Sequence, residues 1–410
     1  GFTKSGSGTL ILSGANSGLT GGIRISQGTL VANGNTALGT NNITLGDINS
    51  GAAAIVLKFD TGISSPLSTG TISTSNFGAS QTILLNAGSA LGANANAFSG
   101  TLNLAGSVGL TVQATNTGGH STAQDWTGNI TGTGIASGTT ALTLNGVSTT
   151  LRMTFGGTSQ TTANTFTGDV VIMGNVITQN TTFSGNIASR QNMGFLNNNV
   201  TVNSGAGWTL VWGGETVQNL NGSGNIVLNN QNALNNIGLT IGNNNATGGS
   251  YSGGISGGFG VAKVGTGTQT LTGGNSYTGG TNVSGGTLTV GAGGTLNNTS
   301  AITIASGATL NLSGSANNQL AAGVTNGTLA INGTLNATTN FAHTLAFGTS
   351  YFANISMNNG TLANTFGTNT SGFGAFYIGA SRTITATGTN TISGTGVIGL
   401  GSGAVLTLSP

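Results

Sequence analysis

The chain has 410 residues, 76 of them glycine, and Asp, Glu, Lys and Arg together make up only 3% of it. A typical soluble domain carries about 25% charged residues, so this surface must be built mainly from Ser, Thr, Asn and Gly. The net charge of +2 rests on seven basic and five acidic side chains, which excludes a strongly basic surface for nucleic acid or anionic lipid. Cysteine is absent, so disulfides and thiolate metal sites are excluded as well.

Short runs that alternate apolar and polar residues predict β-strands along the chain. Thr9-Leu10-Ile11-Leu12 opens the series, and Thr287-Leu288-Thr289-Val290 and Ala301-Ile302-Thr303-Ile304 show the same period of two. No segment combines a 3.6-residue apolar period with helix caps, and each glycine in a helix costs about 1 kcal/mol relative to alanine. The pattern therefore predicts an all-β chain with little or no helix.

Membrane and targeting segments are not apparent in the sequence. The longest purely apolar run extends from Ala52 to Leu57, far short of the roughly 20 residues that a membrane helix requires. Gly1-Phe2-Thr3-Lys4 lacks the basic start and apolar stretch of a secretory signal, so we expect a mature chain or a fragment.

A short element, a bulky apolar residue followed by Ser or Thr and then Gly, recurs along the chain. Several copies precede a strand-like run, so the aromatic residue is expected to pack and the glycine to turn the chain. The copies are Leu19-Thr20-Gly21, Phe98-Ser99-Gly100, Trp126-Thr127-Gly128, Phe166-Thr167-Gly168, Phe183-Ser184-Gly185 and Tyr277-Thr278-Gly279.

A longer repeat covers residues 4–32 and returns at 263–290. Ten aligned positions carry the same residue, including Lys4 with Lys263, Asn16 with Asn275 and Gly28 with Gly286. Because no charged, Pro-rich or compositional break separates domains, we predict one continuous β-solenoid over 1–410, with repeat-headed segments 1–257 and 258–410. Stacked parallel strands then bring like residues into ladders.

Both repeat copies resemble the autotransporter-associated β-strand repeat, in which K-x-G-x-G-x-L leads to N-x-Y-x-G-x-T and then to G-G-T-L. Tyr277 and Thr281 fit this pattern, whereas Leu19 and Ile23 depart from it. The resemblance implies a secreted or surface-displayed bacterial protein whose passenger forms a right-handed parallel β-helix, an elongated rod. It also implies a C-terminal membrane barrel, yet residues 380–410 show no strand run of that kind.

The second repeat copy allows each residue type to be given a role. We interpret Tyr277 as a packing residue, Gly279, Gly280 and Gly286 as turn residues, and Leu288 as an inward strand position. None of these residue types carries acid, base or metal chemistry, so the segment is predicted to be one coil of a scaffold.

The sequence contains no recognisable catalytic site. A polysaccharide-cleaving β-helix needs clustered carboxylates and a basic residue. His120 lies near Asp125 but without a nucleophile motif, Lys58 and Asp60 are spaced for a surface ion pair, and His343 stands alone. We therefore predict no enzymatic activity, no metal and no cofactor. The five acids are Asp47, Asp60, Asp125, Asp169 and Glu215.

Two hypotheses about function remain, and both place the protein outside the cell or on the bacterial cell surface. In the first, solenoid rods stack head to tail into a fibre, because strand-like apolar runs approach both ends of the chain. In the second, a single rod is an adhesin passenger that binds glycans or other cells. The candidate polymer interface comprises Phe2, Leu10, Ile11, Leu12, Val397, Ile398, Leu406 and Leu408.

Overall fold

The computed structural model shows an all-β chain. The 3-10 segment Asn243–Asn245 is the only helical turn among the described residues. The structure describes residues 1–60, 70–86, 96–98, 100–115, 124–126, 128–147, 149–155, 164–180, 194–211, 214–229, 237–296, 301–313, 320, 328–331, 334–337, 343–344, 354–358, 361–364, 376–378, 382–387, 391–394, 398–400 and 406–409.

The strands are short, as the alternating runs predict. Those of the first half are β1 (Phe2–Lys4), β2 (Thr9–Leu12), β3 (Ile23–Ile25), β4 (Gly28–Ala32), β5 (Ile43–Leu45), β6 (Ala54–Phe59), β7 (Ile72–Ser73), β8 (Ser80–Leu85), β9 (Asn96–Phe98), β10 (Leu102–Asn103), β11 (Leu110–Ala114), β12 (Gln124–Trp126), β13 (Ile130–Thr131), β14 (Thr140–Gly146), β15 (Leu151–Phe155), β16 (Asp169–Ile172), β17 (Asn175–Asn180), β18 (Val200–Val202), β19 (Gly207–Val211) and β20 (Glu215–Val217).

The strands of the second half are also short. They are β21 (Leu220–Gly222), β22 (Asn225–Asn229), β23 (Ile237–Ile241), β24 (Gly249–Tyr251), β25 (Ile255–Gly257), β26 (Gly260–Lys263), β27 (Thr268–Leu271), β28 (Gly274–Asn275), β29 (Thr281–Val283), β30 (Thr287–Val290), β31 (Thr295–Leu296), β32 (Ala301–Ile304), β33 (Thr309–Leu312), β34 (Thr328–Ile331), β35 (Thr334–Ala337), β36 (His343–Thr344), β37 (Asn354–Asn358), β38 (Thr361–Asn364), β39 (Phe376–Ile378), β40 (Arg382–Thr387), β41 (Thr391–Gly394), β42 (Ile398–Leu400) and β43 (Leu406–Ser409).

The chain divides into two compact units, Gly1–Glu215 and Thr216–Pro410. In the first unit, one sheet has the strand order β1-β3-β5-β7-β10-β13, and a second runs β2-β4-β6-β8-β11-β14-β16-β18. A third contains β9, β12, β15, β17 and β19. Each strand pairs in parallel with its counterpart one coil away, which is the topology of a parallel β-solenoid.

The second unit repeats this plan. One sheet has the order β21-β24-β27-β30-β33-β35-β38-β41, and another runs β20-β23-β26-β29-β32-β34-β37-β40-β43. Short third sides are formed by β22 with β25, β28 with β31, and β36 with β39 and β42. The predicted all-β parallel solenoid is confirmed, whereas its continuity as a single domain stays a prediction.

Register places like residues above one another inside the coils. The inner column of the first unit is wholly aliphatic, and each of its side chains is fully buried. Burying one such side chain contributes about 1.5–3 kcal/mol, so the column is a main source of stability. Its members are Leu30, Leu57, Ile83, Val112, Leu144, Ile172 and Val202.

The corresponding column of the second unit includes a polar residue. Gln269 pairs with Leu288, which pairs with Leu310 and then Leu335, and all four side chains are buried. The Gln269 amide donates to the carbonyl oxygen of Leu220 at 2.8 Å and accepts from its N–H at 3.1 Å. Since both the nitrogen and the oxygen of this amide are hydrogen-bonded, the side chain can be buried among apolar neighbours.

Within the part of the chain that the structure describes, no helix has the length and apolar character needed to cross a bilayer.

Candidate functional site: two lysine turns and their surroundings

The most distinctive polar site of the first unit surrounds Lys4, at the end of β1. Its side chain is buried, and its Nζ donates to three backbone carbonyl oxygens: Ser5 at 2.9 Å, Gly6 at 2.7 Å and Gln27 at 3.0 Å. The first two acceptors belong to the turn after the lysine, and the third belongs to the next coil. The ammonium therefore ties one coil to its neighbour.

Lys263, at the end of β26 in the second unit, has the same arrangement. Its Nζ donates to the carbonyl oxygens of Val264 at 2.6 Å, Gly265 at 3.2 Å and Gly285 at 3.3 Å. The side chain is fully buried, and this burial lowers the pKa of Lys263 because it removes water from the charged form. The two sites, which we call the lysine turns, use the same sequence positions and the same type of acceptor.

A glycine completes each lysine turn. Gly28 and Gly286 adopt φ of +72° and +58°, a region that side chains rarely enter. A Cβ on Gly28 would lie 2.5 Å from the carbonyl oxygen of Gly8, and one on Gly286 would overlap that of Gly267. Glycine is needed here because two turns stack at backbone contact, which the sequence signal G-T-L reflects.

The other predicted repeat residues lie around the second lysine turn. Tyr277 is fully buried, and its hydroxyl is 2.6 Å from the Thr281 Oγ1. Gly279 is buried, and a Cβ there would overlap the backbone of Gly260. The carbonyl oxygen of Gly280 accepts from the Val261 N–H at 2.9 Å.

Asparagine side chains link coils in both repeat copies. Asn275 donates to the carbonyl oxygens of Gly273 at 3.0 Å and Thr295 at 2.9 Å. Asn16, at the aligned position, donates to the carbonyl oxygen of Ala37 at 3.0 Å. Because such an amide replaces a missing ladder hydrogen bond, it maintains coil spacing where the chain turns.

Two acidic side chains, Asp60 and Asp169, accept hydrogen bonds that link coils. Asp60 accepts from Lys58 Nζ at 2.8 Å, which is the predicted ion pair, and from Asn86 Nδ2 at 2.8 Å. Asp169 accepts from the Gly138 N–H at 3.0 Å and from Asn199 Nδ2 at 2.9 Å.

Two further acids are Asp47, which begins a turn, and Glu215, the first residue of β20. Asp47 accepts from the N–H of Asn49 at 2.8 Å, and Arg24 lies 4.0 Å away. Glu215 is buried beside the Phe195 N–H. Among the described residues, no group of three or more His, Cys, Asp or Glu could hold a metal ion.

The remaining candidates of the sequence analysis are dispersed. Asp125 lies in β12 and His343 in β36. His120, the proposed neighbour of Asp125, falls outside the described residues.

The candidate polymer interface is found on strands at sheet edges. Phe2 lies in β1, and Leu10, Ile11 and Leu12 lie in β2. Ile11 is 59% exposed, whereas the two leucines are half-buried. Val397 falls outside the described residues. Ile398 lies in β42, and Leu406 and Leu408 lie in β43.

The lysine turns are the feature that sequence reasoning missed. Lys4 and Lys263 were aligned as repeat positions but received no role, because their acceptors are backbone carbonyls that no residue type encodes. A signal was available, since only seven basic residues occur in the chain and two of them occupy one repeat position.

The fold and the two matching lysine turns define a repetitive β-solenoid built on one turn architecture. Residues 2–32 and 261–290 match the family model described as the passenger-associated-transport-repeat. Each matched region contains one of the two lysine turns. The chain therefore carries two copies of this repeat, and the repeat family implies a secreted or cell-surface location. No curated protein and no solved structure matches the chain.

Proposed function

We propose that this protein is a non-enzymatic structural subunit of an extracellular or cell-surface fibre, in which solenoid copies stack end to end. The observation that carries the proposal is the parallel, in-register stacking of strands from coil to coil, as in β1 on β3 and β2 on β4. The same backbone N–H and C=O pairing can join a coil of one copy to a coil of the next, a contact that repeats without closing.

The side chains of β1 and β2 favour association. Phe2, Leu12 and Leu19 contribute to an open depression of about 470 Å³, and Ile11 is 59% exposed. The Lys4 ammonium is directed into its own lysine turn. Charged side chains usually protect a strand from pairing with another copy, and β2 contains none.

Electron microscopy and sedimentation of the 410-residue chain test the proposal, with Ile11→Asp as the variant and Val147→Asp as its control. Val147 is 58% exposed, nearly the same as Ile11. It follows β14, which four strands of the sheet separate from β2. We expect wild type and Val147→Asp to form filaments of equal length and Ile11→Asp to form short ones. Monodisperse single particles at every concentration of wild type would contradict the fibre.

The absence of enzymatic activity is part of the same proposal. It is supported by the engagement of Asp47, Asp60 and Asp169 in turns and inter-coil hydrogen bonds. Turnover of a polysaccharide that is lost in Glu215→Ala or Asp125→Ala, with folding retained, would contradict it.

A second candidate function, an adhesin passenger, is favoured by Phe77. This side chain is 40% exposed in a turn whose backbone carbonyl accepts from the buried Gln81 amide at 3.0 Å. An exposed aromatic ring held on a rigid turn is suited to stacking on a sugar. Loss of glycan or cell binding in Phe77→Ala, on particles that remain single, would favour the adhesin over the fibre.

A further inference from the structure

One outward column of the second unit consists of threonines in register. Thr268 pairs with Thr287, Thr287 with Thr309, and Thr309 with Thr334. The same backbone register continues to Thr361 and Thr391. These four side chains from Thr268 to Thr334 are half-buried, so each presents part of a methyl and hydroxyl to the outside.

A second outward column runs beside the first. It contains Thr270, Thr289 and Asn311, two residues further along the same strands and also half-buried. We call the two columns together the threonine face. Its residues are Thr268, Thr270, Thr287, Thr289, Thr309, Asn311 and Thr334.

The threonine face differs in charge from the matching surface of the first unit. None of the residues in β24, β27, β30, β33, β35, β38 and β41 is charged. The equivalent sheet of the first unit carries Lys58 in β6 and Asp169 in β16, both on outward positions. Charges at such positions oppose face-to-face pairing of sheets, and the second unit has none there.

We propose that the threonine face is a lateral interface, onto which the same face of a second copy of this chain docks. Two copies share one period of about 4.8 Å between strands, so their rungs stay matched along the whole column. Each β-branched side chain then fits between two rungs of the facing copy, as in paired sheets whose identical side chains interdigitate. The uncharged surfaces add no repulsion between copies.

The size of the face predicts how this association behaves. Its four strands at about 4.8 Å, each about 10 Å wide at the face, present about 200 Å² per copy. A stable interface needs about 800 Å² per partner, so two isolated copies pair only weakly. Copies joined end to end add their faces, and about four of them reach the required area. Strong lateral association therefore rests on the proposed fibre.

The test adds charge to the face and, as a control, to a neighbouring sheet. The variant is Thr289→Lys with Thr309→Lys, two adjacent rungs of the face. The control is Asn282→Lys with Thr303→Lys, two adjacent half-buried outward rungs of β29 and β32. A third variant, Thr289→Val with Thr309→Val, keeps the shape and removes the hydroxyls. Filament length and filament width are measured separately by electron microscopy, with folding checked by thermal unfolding.

We expect wild type, the control and the valine variant to form bundles and the face-lysine variant to form single filaments of unchanged length. Bundles of wild-type width in the face-lysine variant would overturn the proposal. So would binding of wild type to an insoluble uncharged polysaccharide such as cellulose that is lost in both the lysine and the valine variants, with bundling unchanged. That result would make the face a glycan site.

The end-to-end and lateral contacts fail in distinguishable ways. Absent filaments would remove the fibre function, and the lateral contact would then be measured on single chains by sedimentation at high concentration. There we expect weak dimers of wild type and of the control, and at least a several-fold lower dimer fraction for the face-lysine variant. Equal dimer fractions in all three would overturn the lateral interface.

Discussion

At the scale of single residues, two of the chain's few charged side chains, Lys4 and Lys263, are buried. Lys4 and Lys263 each place an ammonium among three backbone carbonyls that belong to two successive coils. A buried charge is costly unless hydrogen bonds replace its hydration, and three carbonyl acceptors match the three donors of an ammonium. The lysine turn is thus a polar clasp between coils.

Removing one clasp is expected to destabilise the fold. Lys263→Met keeps the aliphatic length but leaves three carbonyl oxygens without their donor, and we expect a loss of about 1–3 kcal/mol in the free energy of unfolding. Lys58→Met, which breaks the partly exposed pair with Asp60, serves as the control, with a loss below about 1 kcal/mol. Denaturant unfolding measures both. Equal losses would mean that the turn carbonyls find other partners.

Tyr251 predicts a response to alkaline pH. Its hydroxyl donates to the Gly224 carbonyl oxygen at 2.6 Å, and burial raises its pKa above the ordinary value of 10.0. The folded chain then keeps a proton that the unfolded chain loses, so this stabilisation is present below pH 10.0 and declines as the pH rises above it.

The measurement is the unfolding midpoint of wild type and Tyr251→Phe between neutral and alkaline pH. At neutral pH we expect Tyr251→Phe to lose about 1 kcal/mol with its hydrogen bond. Above pH 10.0 its stability should decline less steeply than that of wild type. Parallel curves for the two proteins would assign the alkaline loss to other groups.

At the scale of elements, the turns determine how closely coils stack, and the strands determine what each face presents. Gly286 allows one turn to rest on the backbone of the turn before it. Leu288, Thr287 and Thr289 then alternate between the core and the outward columns. One residue of slip in a strand would exchange these faces, so the turn and the register depend on each other.

Gly286→Ala separates steric overlap from backbone strain when it is compared with Gly307→Ala. Both glycines have positive φ, +58° and +76°, but a Cβ on Gly307 would meet nothing within 4 Å. We expect Gly307→Ala to cost about 1–2 kcal/mol for the left-handed conformation alone. Gly286→Ala should cost clearly more, because the stacked turns must separate. Thermal unfolding checks the order, and equal costs would contradict close turn stacking.

At the scale of the whole molecule, the scarcity of charge governs association. Charged residues are 3% of the chain, and several of them, among them Lys4, Lys263 and the pair of Lys58 with Asp60, are held in turns or ion pairs. In the proposed fibre, contacts between copies would come from strand edges, apolar side chains and hydroxyl ladders, none of which is strongly screened by salt.

The extent of self-association should therefore be almost independent of ionic strength. Between about 0.01 and 1 M salt the Debye length shortens from about 30 to 3 Å, yet we expect the assembled fraction to stay within about twofold. Sedimentation at fixed protein concentration measures this fraction, and sodium chloride is preferred because sulfate strengthens apolar association. A decline of tenfold or more with salt would show that ion pairs hold the assembly.

Much of the fold could be predicted because it is encoded locally. Alternation in Thr287-Leu288-Thr289-Val290 reports a strand with one buried face, and the paired glycines report turns. The candidate site was harder to predict. Lys263 is recognisable only as a repeat position, because the three carbonyl oxygens that its ammonium reaches belong to the backbone and are marked by no residue type.

The sequence by itself determined the strand character, the scarcity of charge and the two repeat copies, since each follows from residue type and spacing along the chain. Only the tertiary structure decided that Lys4 and Lys263 clasp successive coils and that Thr268, Thr287, Thr309 and Thr334 form one column. The intervals between these threonines are unequal, so no fixed period marks them. Their alignment arises from hydrogen bonding between coils, which absorbs each difference in length within a turn.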